Sequence, residues 1–153
     1  MNIERLKQQL PICLALLIGG GLGSSAQAQV TVDRAWVRTT VPNQTTTGAF
    51  MRIAAQKDVR LTGARSPVAD MVEVHEMKMD NGIMKMRPAD DLQLKAGNSI
   101  ELKSGGFHLM MMGLRKQLKT GDAVPLTLEF KAADGSVSTV EVKAVAAFIA
   151  PAR

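Results

Sequence analysis

The sequence predicts an all-β domain, a sandwich or a closed barrel. Apolar residues recur with period two in short runs, as at Leu126, Leu128 and Phe130. Turn-forming residues interrupt these runs at close intervals, and no 3.6-residue apolar period is sustained after Ala28.

Val30 to Arg38 and Ala49 to Ile53 read as the first two strands, separated by Pro42-Asn43 and a polar loop at Thr45-Thr46-Thr47. Gly63 marks a break before the next pair, Met71 to Met79 and Ile83 to Arg87. That pair is joined through Asn81-Gly82, the strongest short signal for a two-residue hairpin turn. Ser99 to Leu102 is set off by Lys95-Ala96-Gly97-Asn98, and Phe107 to Met112 by Ser104-Gly105-Gly106. Lys119-Thr120-Gly121-Asp122 precedes Val124 to Phe130, and Asp134-Gly135 divides it from Val137 to Val145. Many short strands at this spacing suit a sandwich or barrel. The run Arg115-Lys116-Gln117-Leu118-Lys119 reads as an exposed turn.

The chain has two histidines and ten methionines, and four of these residues form a pattern, His75-x10-Met86-x21-His108-x-Met110. Thioether sulfur is soft and uncharged, so it favours Cu(I) over zinc, magnesium or calcium, and imidazole suits copper in either oxidation state. With Asn81 and Gly82 as the turn, Met79 faces Met84 and Met77 faces Met86. His75, Met77 and Met79 then share one strand face, and His75 lies diagonally from Met86. His108 and Met110, two apart, point the same way in an extended segment. Methionine more often fills gaps in a core, the role expected of Met51 and Met71. Met77, Met84 and Met112 share a face with the four and stand either as surrounding residues or as alternative donors. The four together read as a Cu(I) site.

These residues and their neighbours resemble the PCuAC family, the periplasmic copper chaperones. The resemblance is carried by Val72-Glu73-Val74-His75-Glu76-Met77, by Met84-Lys85-Met86-Arg87-Pro88, and by Gly105-Gly106-Phe107-His108-Leu109-Met110-Met111-Met112-Gly113-Leu114. It extends more weakly to Asp33-Arg34-Ala35-Trp36-Val37-Arg38. It implies a cupredoxin-like β-fold, Cu(I) as cargo, and delivery of copper to cytochrome c oxidase. The implied partners are the apo copper-site subunit of that oxidase and thioredoxin-like assembly factors. Some members carry a His/Met-rich tail that can bind Cu(II). This chain ends in Ala146-Ala147-Phe148-Ile149-Ala150-Pro151-Ala152-Arg153, so a second, Cu(II)-binding site is not expected.

Residues 1–28 read as a secretory signal peptide, with Arg5 and Lys7 before the apolar run Leu10 to Leu22 and a small-x-small site at Ala26-Gln27-Ala28. Cleavage there leaves one domain, residues 29–153, in the periplasm. The apolar run is too short and glycine-rich for a membrane span. The only cysteine, Cys13, lies in the leader outside a convincing lipoprotein box, so the domain has neither disulfides nor the thiolate that a blue-copper centre needs.

The formal charge is +5, or +4 without Glu4, Arg5 and Lys7. The basic residues are dispersed and aromatics are few, which argues against nucleic acid as a partner. No nucleophile–base arrangement is detectable and both histidines are committed, which argues against an enzyme. The expected protein is a monomeric copper carrier. Copper storage or detoxification, and a methionine-rich protein-interaction module, are the competing readings.

Overall fold

A computed structural model describes residues 30–90 and 92–152. Ten strands account for most of them, and the described residues contain no helix. In chain order these are β1 (Val30–Arg38), β2 (Thr46–Ala55), β3 (Val59–Arg65), β4 (Ala69–Asp80) and β5 (Ile83–Pro88). They continue with β6 (Leu92–Leu94), β7 (Ser99–Leu102), β8 (Phe107–Leu114), β9 (Ala123–Ala132) and β10 (Val137–Ala147).

Seven of the strands form a barrel in the order β4-β8-β2-β1-β10-β9-β3, which closes where Ala64 of β3 pairs with Val72 of β4. The β1–β10 pairing is parallel and the others are antiparallel. The short strands β5, β6 and β7 pair with β4, β3 and β2. Closure removes the open edges that a sandwich would leave, and it resolves the sequence's two alternatives in favour of the barrel.

The barrel is filled by one side of each wall strand: Met51 and Ile53 from β2, Leu61 from β3, Val72 and Val74 from β4. Leu109 and Met111 enter from β8, and Leu126, Leu128 and Phe130 from β9. The opposite parity of β4 and β8 therefore faces outward, and that parity carries both histidines.

A bulge in β1 reverses the strand's phase. Val32 opposes Ile53 and packs on the core, yet beyond the register shift between Asp33 and Trp36 it is Val37 that is buried. Arg34 absorbs the extra residue with φ 53°, a conformation costly for a side chain with a Cβ. The result is to turn Trp36 outward, opposite Phe50.

The hairpin has the expected register. Asn81 and Gly82 take φ 50° and 78°, both positive as a type I′ turn requires. Asp80 faces Ile83, Met79 faces Met84 and Met77 faces Met86.

Several expectations need correction. Gly63 does not break the chain: it lies within β3, at a register shift against β9, which is the bulge position that glycine commonly marks in a strand. Leu92–Leu94 forms a strand that was not foreseen, anchored by the buried Leu92 and Leu94. Thr46 and Thr47 are not loop: both belong to β2, and the buried Thr47 donates its hydroxyl to the Arg38 carbonyl at 2.8 Å. The basic run is not simply an exposed turn either. Leu118 is fully buried, and its N–H donates to Thr40 Oγ1 at 2.9 Å while its carbonyl accepts from Thr40 N–H. Met51 fills the core as expected, but Met71 is 50% exposed on the outer face, opposite Met112. The proposed leader, with Cys13, lies outside the described residues.

Candidate metal centre

Two strands set the centre. β4 and β8 pair antiparallel with His75 directly opposite His108, and with Glu73 opposite Met110 one rung away. The inward-pointing Val74 and Leu109 anchor this register in the core, so the histidines are fixed on the outer face by the period-two alternation. Their ring centroids lie 6.0 Å apart with the planes at 61°.

An outward side chain is normally wet, but His75 is only 9% exposed and His108 5%. Phe50 on β2 contributes to this cover, with its ring centroid 6.4 Å from that of His108. Trp36 stacks against Phe50 at 4.6 Å, and the Arg38 guanidinium sits 5.5 Å from the Phe50 centroid. Gly48 makes room for this wall: a Cβ there would lie 2.8 Å from Phe50 Cζ. Gly48 also pairs with Met110, so the aromatic ring lies beside that methionine's position.

The two imidazoles are held differently. His108 Nδ1 lies 3.1 Å from the Gly106 carbonyl. A carbonyl only accepts, so Nδ1 carries the proton and Nε2 keeps a free lone pair. His75 Nε2 lies 2.9 Å from Glu73 Oε2. The carboxylate accepts this hydrogen, which leaves the lone pair on Nδ1. That nitrogen is buried and has no hydrogen-bond partner. An unsatisfied buried polar atom typically costs about 1–3 kcal/mol, and a bound ion is one of the few things that explains it.

The thioethers lie around the histidine pair. Met86 is 45% exposed on β5, opposite Met77 and one diagonal step from His75, which itself faces Pro88. Met110 is half-buried, two residues from His108 on the same face. All four residues singled out by their spacing are thus brought to one outer patch of β5, β4 and β8. No group of three His, Cys, Asp or Glu suited to a metal occurs among the described residues. The thioethers of Met86 and Met110 are the further donors beside the two imidazoles, and sulfur favours a soft ion.

Sequence reasoning missed Glu73, Gly48 and Phe50. Glu73 was legible as the same-face neighbour of His75, two residues away. Phe50 was not, because its partner Trp36 reaches the outer face only through the β1 bulge.

Residues 30–144 match the LpqE-like family. The chain is 32% identical over 114 residues to the protein called "Putative lipoprotein Lxx21020" of Leifsonia xyli, which spans 74% of this chain and 68% of that one. Its fold is similar to the copper-bound PCuAC domain from PmoF2, with a TM-score of 0.60 and 20% identity over 80% of this chain and 97% of that one. It is also similar to DR1885 from Deinococcus radiodurans. The apo form gives a TM-score of 0.57 and 26% identity over 95% of this chain and 97% of that one. The CuI form gives 0.50 and 27%, over 80% of each chain. The barrel is therefore the cupredoxin-like fold of PCuAC domains, and the chain belongs to the LpqE-like family, a PCuAC-type family.

Proposed function

We propose that this chain is an exported copper carrier that holds one Cu(I) through His75, His108, Met86 and Met110. The observation that carries the reading is the rung formed by His75 and His108, with a buried imidazole nitrogen left without a partner and thioethers on either side. The copper-bound PmoF2 domain and CuI-DR1885 share the fold and support copper as the cargo.

The geometry suits delivery better than retention. All four donors are neutral, so the bound ion keeps its positive charge and forms no thiolate bond. An acceptor with two cysteine thiolates offers softer, anionic donors and takes the ion thermodynamically. Exposure sets a direction for the exchange. The histidines are buried, whereas Met86 is nearly half exposed on the outermost strand. An incoming thiolate therefore displaces the Met86 thioether first, and the imidazoles release last. The aromatic wall of Phe50 and Trp36 closes the opposite side.

The acceptor in this reading is the dinuclear copper site of cytochrome c oxidase, in the periplasm. The chain acts as carrier and not as enzyme, and a thioredoxin-like factor keeps the acceptor cysteines reduced. The lipoprotein-type family supports export. The test is to mix the Cu(I)-loaded protein with the reduced apo soluble domain of the oxidase subunit. One-way movement of copper is expected, together with a loss of oxidase activity in a deletion strain under copper scarcity. Failure of transfer with full oxidase activity in that strain would overturn the delivery role in favour of storage or detoxification.

A further inference from the structure

The β4–β5 hairpin continues past the candidate centre, and its outward face carries nothing but methionine. Met77 faces Met86 and Met79 faces Met84, four thioethers on two consecutive same-face rungs, whose directly opposed Cβ atoms are typically about 5 Å apart. The other face of the hairpin is different in kind. Lys78 faces Lys85 and Glu76 faces Arg87, and Asp80 bonds both Lys85 Nζ at 2.8 Å and Arg87 Nη2 at 3.1 Å.

An apolar surface would be served by Val, Ile or Phe, which suit a strand better than methionine does. None of them occupies these four positions. Burial does not explain the choice either, since Met79 is 59% exposed and Met84 45%. What the four share and aliphatic residues lack is a soft sulfur donor on a flexible stem. With Met86 assigned to the histidine centre, Met77, Met79 and Met84 remain together and free to bind.

We propose that Met77, Met79 and Met84 form a second, weaker soft-metal site that takes Cu(I) or Ag(I) near the hairpin tip and loads the histidine centre. No redox step is involved. Three neutral thioethers bind the monovalent ion, and Met77, directly opposite Met86, makes the two sites adjacent. The ion passes by stepwise exchange of one thioether for another, moving from an exposed all-sulfur site to a buried one that adds two imidazoles. The loading role rests on the function proposed above, whereas the existence of the site does not.

Ag(I) titration of the purified protein, with methionine methyl groups labelled with carbon-13 and followed by NMR, separates the two. The first equivalent should move the Met86 and Met110 signals. A second, bound roughly tenfold or more weakly, should move Met77, Met79 and Met84. The double variant Met79→Leu/Met84→Leu should keep the first equivalent, lose the second, and fill the histidine centre several-fold more slowly from dilute Ag(I). The proposal is overturned if the second equivalent is absent, if it binds without moving Met79 and Met84, or if the double variant still takes two. An unchanged filling rate overturns the loading role. Failure of the first equivalent to move Met86 and Met110 would instead count against the histidine–methionine centre.

Discussion

Met110 and Met111 are neighbours in β8 that the alternation of the strand sends to opposite destinations, and substituting each should separate binding from stability. Met111 is fully buried inside the barrel, and Met110 lies outside beside the histidine pair. Met111→Ala removes a buried thioether side chain from a packed core and should cost about 2–5 kcal/mol. For a domain of this size, a loss of about 3 kcal/mol lowers Tm by roughly 10–15 °C. Below its melting range this variant should bind Cu(I) with nearly unchanged affinity. Met110→Leu keeps volume and apolarity and should cost less than about 1.5 kcal/mol, but it removes a sulfur donor. Its Cu(I) affinity should fall more than about tenfold, or about 1.4 kcal/mol. Thermal melts by circular dichroism, paired with competition against a chromophoric Cu(I) chelator, measure both quantities for both variants. The reasoning is refuted if Met111→Ala loses copper while still folded, or if Met110→Leu binds as the parent does.

Gly48→Ala should push the Phe50 ring away from His108 and shift the fluorescence of Trp36, the chain's one tryptophan; an unaltered spectrum would mean that the wall does not depend on this glycine. Protons compete with the metal for imidazole nitrogen but not for thioether sulfur, so Cu(I) affinity should weaken as pH falls from about 7.5 to 5. A flat profile would point to methionine ligation alone. Asp58 accepts the Ala96 N–H at 2.8 Å and pairs with Lys95 Nζ at 2.9 Å, and these bonds hold its carboxyl below the ordinary value of 3.8. Its folded-state pKa is thus the lower one. The support it gives to the Lys95–Asn98 turn is complete above the ordinary carboxylate range and lost as pH falls through the depressed value. Hydrogen exchange at the Ala96 amide should show that acid-induced loosening, and Asp58→Asn should abolish its pH dependence.

The parts of this structure that were legible in advance are those fixed by local rules. Asn81-Gly82 sets a turn whose register follows by counting, and His108 and Met110 share a face because they are two apart. The convergence of His75 with His108 needed no more than one non-local pairing. What escaped the sequence depends on departures from regular alternation or on distant partners. Gly63 reads as punctuation unless the pairing with β9 is known, and Phe50 reads as core until the β1 bulge turns Trp36 outward to meet it. Met71 has the composition of a core residue, but parity places it outside, in step with Glu73 and His75. Leu118, within a basic run, packs in the apolar core, where its backbone is tied to Thr40, 78 residues away.

X-ray absorption at the copper edge of the Cu(I)-loaded protein tests the central claim most directly. The account predicts a first shell of both nitrogen and sulfur scatterers, with the sulfur contribution reduced in Met86→Leu and Met110→Leu and the nitrogen contribution reduced in His75→Ala and His108→Ala. A shell of nitrogen and oxygen donors alone, unchanged by the methionine substitutions, would contradict it.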